Sequence, residues 1–277
     1  MEEQVLQLLQ ATTRPDTIVI KAAEQGLLQL YPQAEFPFAL LTIATHQDID
    51  VGSRKAALTS LKNYVLQTWS PQFDETFTGN VFLNEDAKSR IRDQVFSICT
   101  VSGDQAPKDA SIQALAAGVA SKIASVDFPD SWPTLFPSLL NILNTSTDDG
   151  PIHGALRVLA ELIDSGLTEQ QFFAVAQDLV GALQHVALDN NRALIVRAMT
   201  LNVFRACFEL LEMVMADHGP SVKAFLDESI KNWMPFFTET IKEPLSRTEG
   251  STLDQNDSQL RGLVALKVQA IKVCINR

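Results

Sequence analysis

The 277-residue chain has few of the features by which enzymes are recognised from sequence. Its three cysteines lie far apart in apolar helical patterns, so they indicate neither a disulfide framework nor a zinc site but buried thiols. Its four histidines occur singly. No glycine-rich phosphate loop, zinc-protease motif or nucleophile elbow is present. We therefore predict no catalytic activity, no cofactor and no metal.

Positive charge is also scarce, since 22 Lys and Arg stand against 33 Asp and Glu, for a formal net charge of −11. Such a balance opposes binding to the phosphates of DNA or RNA. The N-terminus carries acids where a signal peptide needs bases, and no stretch is apolar enough to span a membrane. These features predict a soluble intracellular protein whose partners are proteins.

Strand patterns are almost absent, and apolar residues recur with a period close to 3.6. In residues 51–69, for example, Leu58, Leu61 and Val65 share one face, and Lys55 lies on another. Twelve helices are predicted, at about 2–11, 16–30, 36–47, 51–69, 84–101, 107–126, 132–143, 149–165, 168–188, 191–216, 220–241 and 254–276.

Successive helices pair naturally into six antiparallel hairpins. The second helices of pairs two to five begin near residues 51, 107, 149 and 191, a spacing that brackets the period of HEAT repeats. We therefore predict an all-α fold, an α-solenoid of about six HEAT repeats, in preference to a compact helical bundle. The long connection 70–87, the acidic segment 243–259 and the apolar face of the last helix depart from this rhythm. Because a solenoid needs a polar end cap, that last face suggests a fragment of a longer protein.

A sequence signature recurs at two of the second helices. "DIDVGSRKAALTSL" places Asp50 before a helix and Arg54 four residues later, and "DNNRALIVRAMTLNVF" repeats the theme with Asp189 and Arg197. Each aspartate is predicted to cap the start of its helix. Each arginine is predicted to reach an acidic group of the neighbouring repeat, which would form a polar ladder between repeats.

The segment "VDFPDSWPTLFPSLL" concentrates three prolines among aromatic residues. Pro129 is expected to end one helix, and Asp130 or Ser131 to cap the next. Pro133 would then lie in the first turn of that helix, and Pro137 would bend it one turn later. The segment is therefore predicted to be a structural joint whose inter-repeat space is filled by Phe128, Trp132 and Phe136.

One helix carries a continuous polar stripe. In "DGPIHGALRVLAELID" the stripe steps by three or four residues, through Asp149, His153, Arg157, Glu161 and Asp164. Two interpretations stay open, a solvated face stabilised by charge pairs at i, i+4, or a binding ridge on the concave face.

Charge is unevenly distributed along the chain. Residues 126–170 hold seven acids and one base, whereas the second and third helix pairs are more basic. Such a change of sign suits a partner of mixed charge, or separate partners of which one is basic.

Two stretches together resemble the N-terminal part of the importin-β superfamily. "SRKAALTSLKNYVLQTW" matches a pattern R-x-x-A-x-x-x-L-K-N followed by Trp, and "VDFPDSWPTLFPSLL" matches P-x-x-W-P. The resemblance covers most of residues 1–165, with the family's N-terminal domain at about 20–100. The segments "VDFPDSWP" and "WSP", the latter after the second repeat, most resemble the importin-nine branch, which imports core histones.

The resemblance implies a shuttling nuclear import receptor, present in cytoplasm and nucleus, that binds Ran-GTP on the concave face of its N-terminal arch. The L-K-N match implies that Lys62 and Asn63 lie at that surface, with Lys55 earlier on the same helix. Basic cargo such as histones would suit the acidic part of the arch, and nucleoporins would bind the full-length protein. The alternative is a HEAT-repeat scaffold or adaptor outside transport, without a Ran site.

Overall fold

A computed structural model describes residues 1–101, 110–165, 167–245 and 253–275, and the regular structure of these residues is helical. The helices are α1 (Glu2–Thr12), α2 (Thr17–Leu30), α3 (Phe36–Thr45), α4 (Val51–Thr68), α5 (Glu85–Thr100), α6 (Ala110–Asp127), α7 (Leu135–Thr145), α8 (Asp149–Ser165), α9 (Glu169–Phe173), α10 (Ala176–Leu188), α11 (Leu194–His218), α12 (Pro220–Lys242) and α13 (Leu253–Ile275). Among these described residues, no helix is long and apolar enough to cross a membrane.

Most of these bounds lie within three residues of the predicted ones, and the helices follow one another as the expected pairs. The exception is the helix predicted at 168–188, which is two helices, α9 and α10. Thr168 begins α9 with a capping box, in which the Thr168 hydroxyl accepts from the Gln171 backbone and the Gln171 amide accepts from Thr168. Parts of the predictions at 107–109, 246–252 and 276 fall outside the described residues.

The chain divides into two compact units, Met1–Trp132 with α1–α6 and Pro133–Arg277 with α7–α13. In the first unit α4 packs against both α3 and α6. An aromatic cluster of Tyr31, Phe36 and Tyr64 lies at its core, with ring centroids 5.0–5.7 Å apart. Burial raises the pKa of Tyr31 to about 12, with a smaller contribution from Tyr64. The predicted inward face of α4 is confirmed, since these residues are buried: Leu58, Leu61, Val65 and Trp69.

Asp127 at the end of α6 joins three helices of the first unit. Its carboxylate accepts hydrogen bonds from the indole of Trp69 at 3.0 and 3.1 Å and from the guanidinium of Arg92 at 2.7 Å. Arg92 also donates to Glu85, and Lys88 donates to the Trp69 carbonyl at 2.8 Å. Burial lowers the pKa of Arg92, but the bonds and charges of Asp127 and Glu85 outweigh it and the net shift is upward. The ion pair thus joins the two helices of the third repeat, and the bonds of the Trp69 indole and of Lys88 link that repeat to the second.

The core of the second unit is built around aromatic side chains of α11 and α12. Phe204 stacks on Trp233 with ring centroids 3.9 Å apart, and Phe237 packs beside both. Because α13 passes close to the start of α11, a Cβ at Gly262 would lie 2.8 Å from the Cβ of Leu194. One face of α11 is apolar and buried: Ala198, Leu201, Phe204, Phe208 and Leu211.

The predicted arginine ladder between repeats is wrong for Arg54, and Arg197 feels the charges of Glu243 and Glu239 from the next repeat but forms no ion pair with either. Arg54 donates from Nε to the Ala44 carbonyl at 2.9 Å, and Arg197 donates from Nε to the Ala187 carbonyl at 2.8 Å. Both acceptors lie near the end of the first helix of the same repeat, ten residues earlier. Carbonyls at a helix C-terminus lack an intrahelical donor, so they offer each arginine a nearby acceptor. The signature therefore joins the two helices within one repeat.

The two predicted aspartate caps have different outcomes. Asp50 caps α4 as expected, accepting from the backbone N–H of Ser53 at 2.9 Å and from its hydroxyl at 2.6 Å, bonds that lower the Asp50 pKa. Asp189 does not cap α11, which begins five residues later. It accepts instead from the backbone N–H of Asn191 in the turn between the helices.

The proline segment contains the boundary between the two units. Helix α6 ends at Asp127, before the cis peptide bond between Phe128 and Pro129. The predicted cap at 130 or 131 is wrong, because α7 begins at Leu135 and Ser131 donates its backbone N–H to the Asp127 carbonyl. Pro133 precedes α7, and Pro137 lies in its first turn, where the missing N–H has no intrahelical acceptor to lose. Phe128 and Trp132 are buried in the first unit, and Phe136 is buried in the second.

We expect Asp127→Asn to lower the free energy of unfolding by roughly 3–5 kcal/mol, because Arg92 would lose the buried partner of its charge. Urea unfolding monitored by circular dichroism measures this loss. Asp130→Asn is the matched control, since Asp130 is exposed three residues away and its change should stay within about 0.5 kcal/mol. Equal stability of the two variants would contradict a structural role for Asp127.

Candidate partner-binding surface

The three residues predicted on α4 lie at the margin of its buried face. Lys55 and Lys62 are half-buried, and Asn63 is exposed. Their positions follow from the helical period, because the apolar residues 58, 61 and 65 turn the opposite face of α4 toward the core. The structure therefore places these three polar residues outside the apolar face of α4, with Asn63 the most exposed of them.

Lys62 and Asn63 face different neighbours of α4. A Cβ placed at Gly118 of α6 would lie 3.7 Å from the ammonium nitrogen of Lys62, so this side chain runs toward the third repeat. Asn63 instead lines a groove of about 420 Å³ on the side of α2, together with Glu24 and Tyr31. The surface thus extends across the second helices of the first three repeats.

Sequence reasoning missed two residues of this surface, both on α6. Gly118 is the residue against which the Lys62 ammonium lies. Lys122 is half-buried one turn later, on the same face of the helix as Gly118. The sequence feature that could have identified them is the scarcity of carboxylates in these two helices. Asp127 is the sole acid in α4 and α6, and it is buried.

The polar stripe on α8 begins with a residue that joins two repeats. Asp149 accepts from the backbone N–H of Ala193 at 2.8 Å and pairs with the guanidinium of Arg192 at 3.4 Å. Arg192 also donates to the Ser146 carbonyl at 2.6 Å. The residue that links these repeats is therefore Arg192, which the sequence signature did not single out.

The remaining stripe residues become more exposed along α8. His153 and Arg157 are half-buried, whereas Glu161 and Asp164 are exposed. Burial lowers the pKa of His153, the nearby charge of Arg157 lowers it further, and the charge of Asp149 opposes both. A neutral imidazole is thus favoured at the middle of the stripe.

The acidic count of residues 126–170 overstates the charge that a partner can meet. Asp127 is buried against Arg92, and Asp149 is paired with Arg192.

In the described part of the chain, no group of three or more His, Cys, Asp or Glu is placed to hold a metal ion. Cys99 and Cys207 are buried, as predicted, and burial raises the pKa of the Cys207 thiol. The prediction is wrong for Cys274, which is only half-buried near the end of α13.

Residues 23–100 match the family model described as the importin-β N-terminal domain. The chain belongs to the importin-β superfamily. It is 32% identical over 248 residues to importin subunit beta-5 of Schizosaccharomyces pombe, covering 88% of this chain and 24% of that protein. The chain therefore spans about a quarter of that relative. The family prediction is confirmed, and the importin-nine branch stays a prediction.

Two solved structures show the same fold at low sequence identity. The exportin Cse1 in its cargo-free, cytoplasmic state aligns with a TM-score of 0.67 and 19% identity, over 98% of this chain and 29% of Cse1. A structure of Kap95p, in which Kap95p binding induces the switch loops of RanGDP to adopt the GTP-bound conformation, aligns with a TM-score of 0.66 and 16% identity, over 99% of this chain and 28% of Kap95p. The predicted all-α HEAT-repeat fold is confirmed by these likenesses.

We expect the folded protein to lose stability as the pH falls below about 6.5, the ordinary pKa of histidine. The unfolded chain takes up a proton at His153 near that pH, whereas the folded chain takes it up only at a lower pH. Urea unfolding at pH 7.5 and pH 5.5 should therefore show a smaller decline for His153→Gln than for the unaltered protein. Equal declines, or an imidazole NMR titration of His153 at or above 6.5, would contradict this.

Proposed function

We propose that this chain is the N-terminal region of a nuclear import receptor that binds Ran-GTP on the second helices of its first repeats. The observation that carries the proposal is the basic edge of α4, where Lys55 and Lys62 stand in a chain with a net charge of −11. Membership in the importin-β superfamily and the likeness to the Ran-binding Kap95p support it.

The shape of the surface also supports the proposal. The groove beside Asn63 is lined mainly by hydroxyl, amide and apolar side chains of α2 and α4, including Thr59 and Gln67. Lys62 lies on the opposite side of α4, against α6. A globular partner that seats in the groove can thus contact the lysines with its flank, combining uncharged contacts with charge attraction.

The double variant Lys55→Glu/Lys62→Glu is expected to weaken Ran-GTP binding by roughly 1–3 kcal/mol, about 5- to 150-fold, because it reverses two charges at the interface. Biolayer interferometry with Ran loaded with a non-hydrolysable GTP analogue measures this change. Ran-GDP provides the reference for nucleotide-independent binding.

The matched control is Lys223→Glu, which reverses an exposed lysine on α12 in the second unit. It should leave the affinity for Ran-GTP unchanged. Equal loss in the control would show a long-range charge effect and not a contact. If the unaltered chain binds Ran-GTP no better than Ran-GDP, the alternative of a HEAT-repeat scaffold outside transport replaces this proposal.

We further propose that the exposed end of the α8 stripe takes part in holding basic cargo, of which core histones are the predicted example. Glu161 and Asp164 are exposed there. The net charge of the chain attracts a cationic protein over a distance of about 8 Å at physiological salt. Such an attraction raises association rates and makes affinity depend on salt.

Asp164→Lys is expected to weaken binding of a purified core-histone dimer several-fold at low salt and less at high salt, because the lost attraction is screened. Fluorescence titration at low and at high NaCl concentration measures both affinities. Glu228→Lys on α12 makes the same charge change at another exposed site and should have a smaller effect. A larger effect of the control would move the cargo surface away from α8.

For the full-length receptor, the same proposal includes two further properties. The receptor shuttles between cytoplasm and nucleus, and it contacts nucleoporins. We propose that residues 1–277 form the N-terminal arch of that receptor. The apolar stripe that α13 exposes supports this extent, since the next repeat of an array would cover it: Val264, Val268, Ile271 and Ile275.

A further inference from the structure

A wide groove lies in the second unit, where the ends of α10 and α12 meet the start of α11. Its volume is about 1220 Å³, above the roughly 300–1,000 Å³ of a typical small-molecule site. Phe236 and Leu266 line it as buried residues, whereas Leu188 and Met234 line it with exposed apolar side chains. The groove therefore has the room and the apolar contacts for a polypeptide segment.

Arg197 lines this groove and is held in place from two sides. Its Nε donates to the Ala187 carbonyl at 2.8 Å, and its guanidinium carbon lies 5.3 Å from the ring centroid of Phe236. Within the described part of the chain, its two Nη groups form neither a hydrogen bond nor an ion pair. A guanidinium fork that is already fixed loses little conformational freedom when it binds a carboxylate.

The charges around Arg197 do not offset the cost of its burial. Burial, the strongest influence, lowers the pKa of Arg197, and the charges of Glu243, Asp189 and Glu239 raise it. The net shift is downward, so these carboxylates compensate the cation only in part. A carboxylate at hydrogen-bond distance from the Nη groups would complete the compensation.

The charge of the groove as a whole also favours an acidic occupant. Lys231 and Lys242 line it together with Arg197, against two carboxylates, Glu239 and Glu243. The lining is therefore slightly basic in a chain whose net charge is −11.

A proline inside α12 provides a backbone acceptor. Pro235 has no N–H, so the carbonyl of Lys231, one turn earlier, lacks its helical hydrogen bond. Both residues line the groove, which places the missing bond on the groove side of α12. An extended polypeptide has backbone N–H groups that can donate to such a carbonyl.

We propose that this groove binds an extended protein segment in which an acidic residue stands next to an aliphatic one. The Nη groups of Arg197 donate to the carboxylate, and the Lys231 carbonyl accepts a backbone N–H. The aliphatic side chain packs on Leu188 and Met234. This site goes beyond the proposed function, because it lies in the second unit and takes neither Ran-GTP nor basic cargo.

Arg54 offers a comparison within the same chain. Its Nε donates to the Ala44 carbonyl in the same way, but Arg54 is buried, whereas Arg197 is half-buried in an open groove. The same intra-repeat bond therefore leaves a guanidinium accessible only at Arg197.

The test begins with a phage-displayed library of random dodecapeptides, selected on the 277-residue chain. Enriched peptides are expected to carry an acidic residue next to an aliphatic one, and fluorescence anisotropy measures their affinities. Arg197→Lys should weaken binding at least about 10-fold, because lysine keeps the charge but not the fork. Arg54→Lys makes the same change at the buried site and should stay within about twofold of the unaltered protein.

Pro235→Ala tests the groove without removing a charge. Alanine restores the N–H that bonds the Lys231 carbonyl, so this variant should be at least as stable as the unaltered protein in thermal unfolding and yet bind several-fold more weakly. If Arg197→Lys does not fold, Pro235→Ala and Met234→Ala decide the question.

The possible outcomes separate clearly. Acidic–aliphatic peptides that lose affinity with the folded groove variants, but not with Arg54→Lys, support the inference. It is overturned if no peptide is enriched, if the enriched peptides lack an acidic residue, or if every folded groove variant leaves their affinity unchanged.

Discussion

The buried ion pair between Arg92 and Asp127 is the interaction on which the arrangement of the first unit depends. It joins α5 to the end of α6, and the Trp69 indole extends it to the end of α4. An ion pair removed from water stabilises a fold only when its remaining donors and acceptors are satisfied. Here the indole, Glu85 and the Lys88 contact with the Trp69 carbonyl complete the network. The second and third repeats are therefore fixed in one register, and the α4–α6 surface keeps its geometry.

The two units connect their repeats through different groups. In the first unit the Trp69 indole and the Lys88 ammonium bond across to the neighbouring repeat. In the second unit the Arg192 guanidinium contacts both Asp149 and the Ser146 carbonyl, so one side chain satisfies a carboxylate and a helix end at once. Within repeats, Arg54 and Arg197 each bond a carbonyl ten residues earlier. Arginine suits these roles because its rigid fork of donors can serve two acceptors and it remains charged when partly buried.

The sequence was sufficient to predict the helices and the family because both depend on local patterns. The period of Leu58, Leu61 and Val65 determines the buried face of α4. The cap at Asp50 involves a donor only three residues further along the chain. The polar contacts between helices were not predictable, because the partners of Asp127 lie 35 and 58 residues away and those of Asp149 more than 40. The hydrogen-bond partner of Arg197 was misassigned for a related reason. A backbone carbonyl at a helix end competes with a carboxylate for the guanidinium, and every residue type carries such a carbonyl.

The candidate surface was predictable only in part, because its α4 residues form a motif and its α6 residues do not. Charge acts here on two length scales. Beyond the Debye length of about 8 Å, a partner meets the screened field of a chain with net charge −11. At contact it meets individual groups, and on α4 and α6 the accessible ones are lysines. A net acidic chain can therefore attract a cationic cargo at long range and still present lysines to a second partner at short range, provided that those two helices carry no accessible carboxylate. The burial of Asp127 meets that condition, so the ion pair that joins α5 to α6 also keeps the surface of α4 and α6 basic.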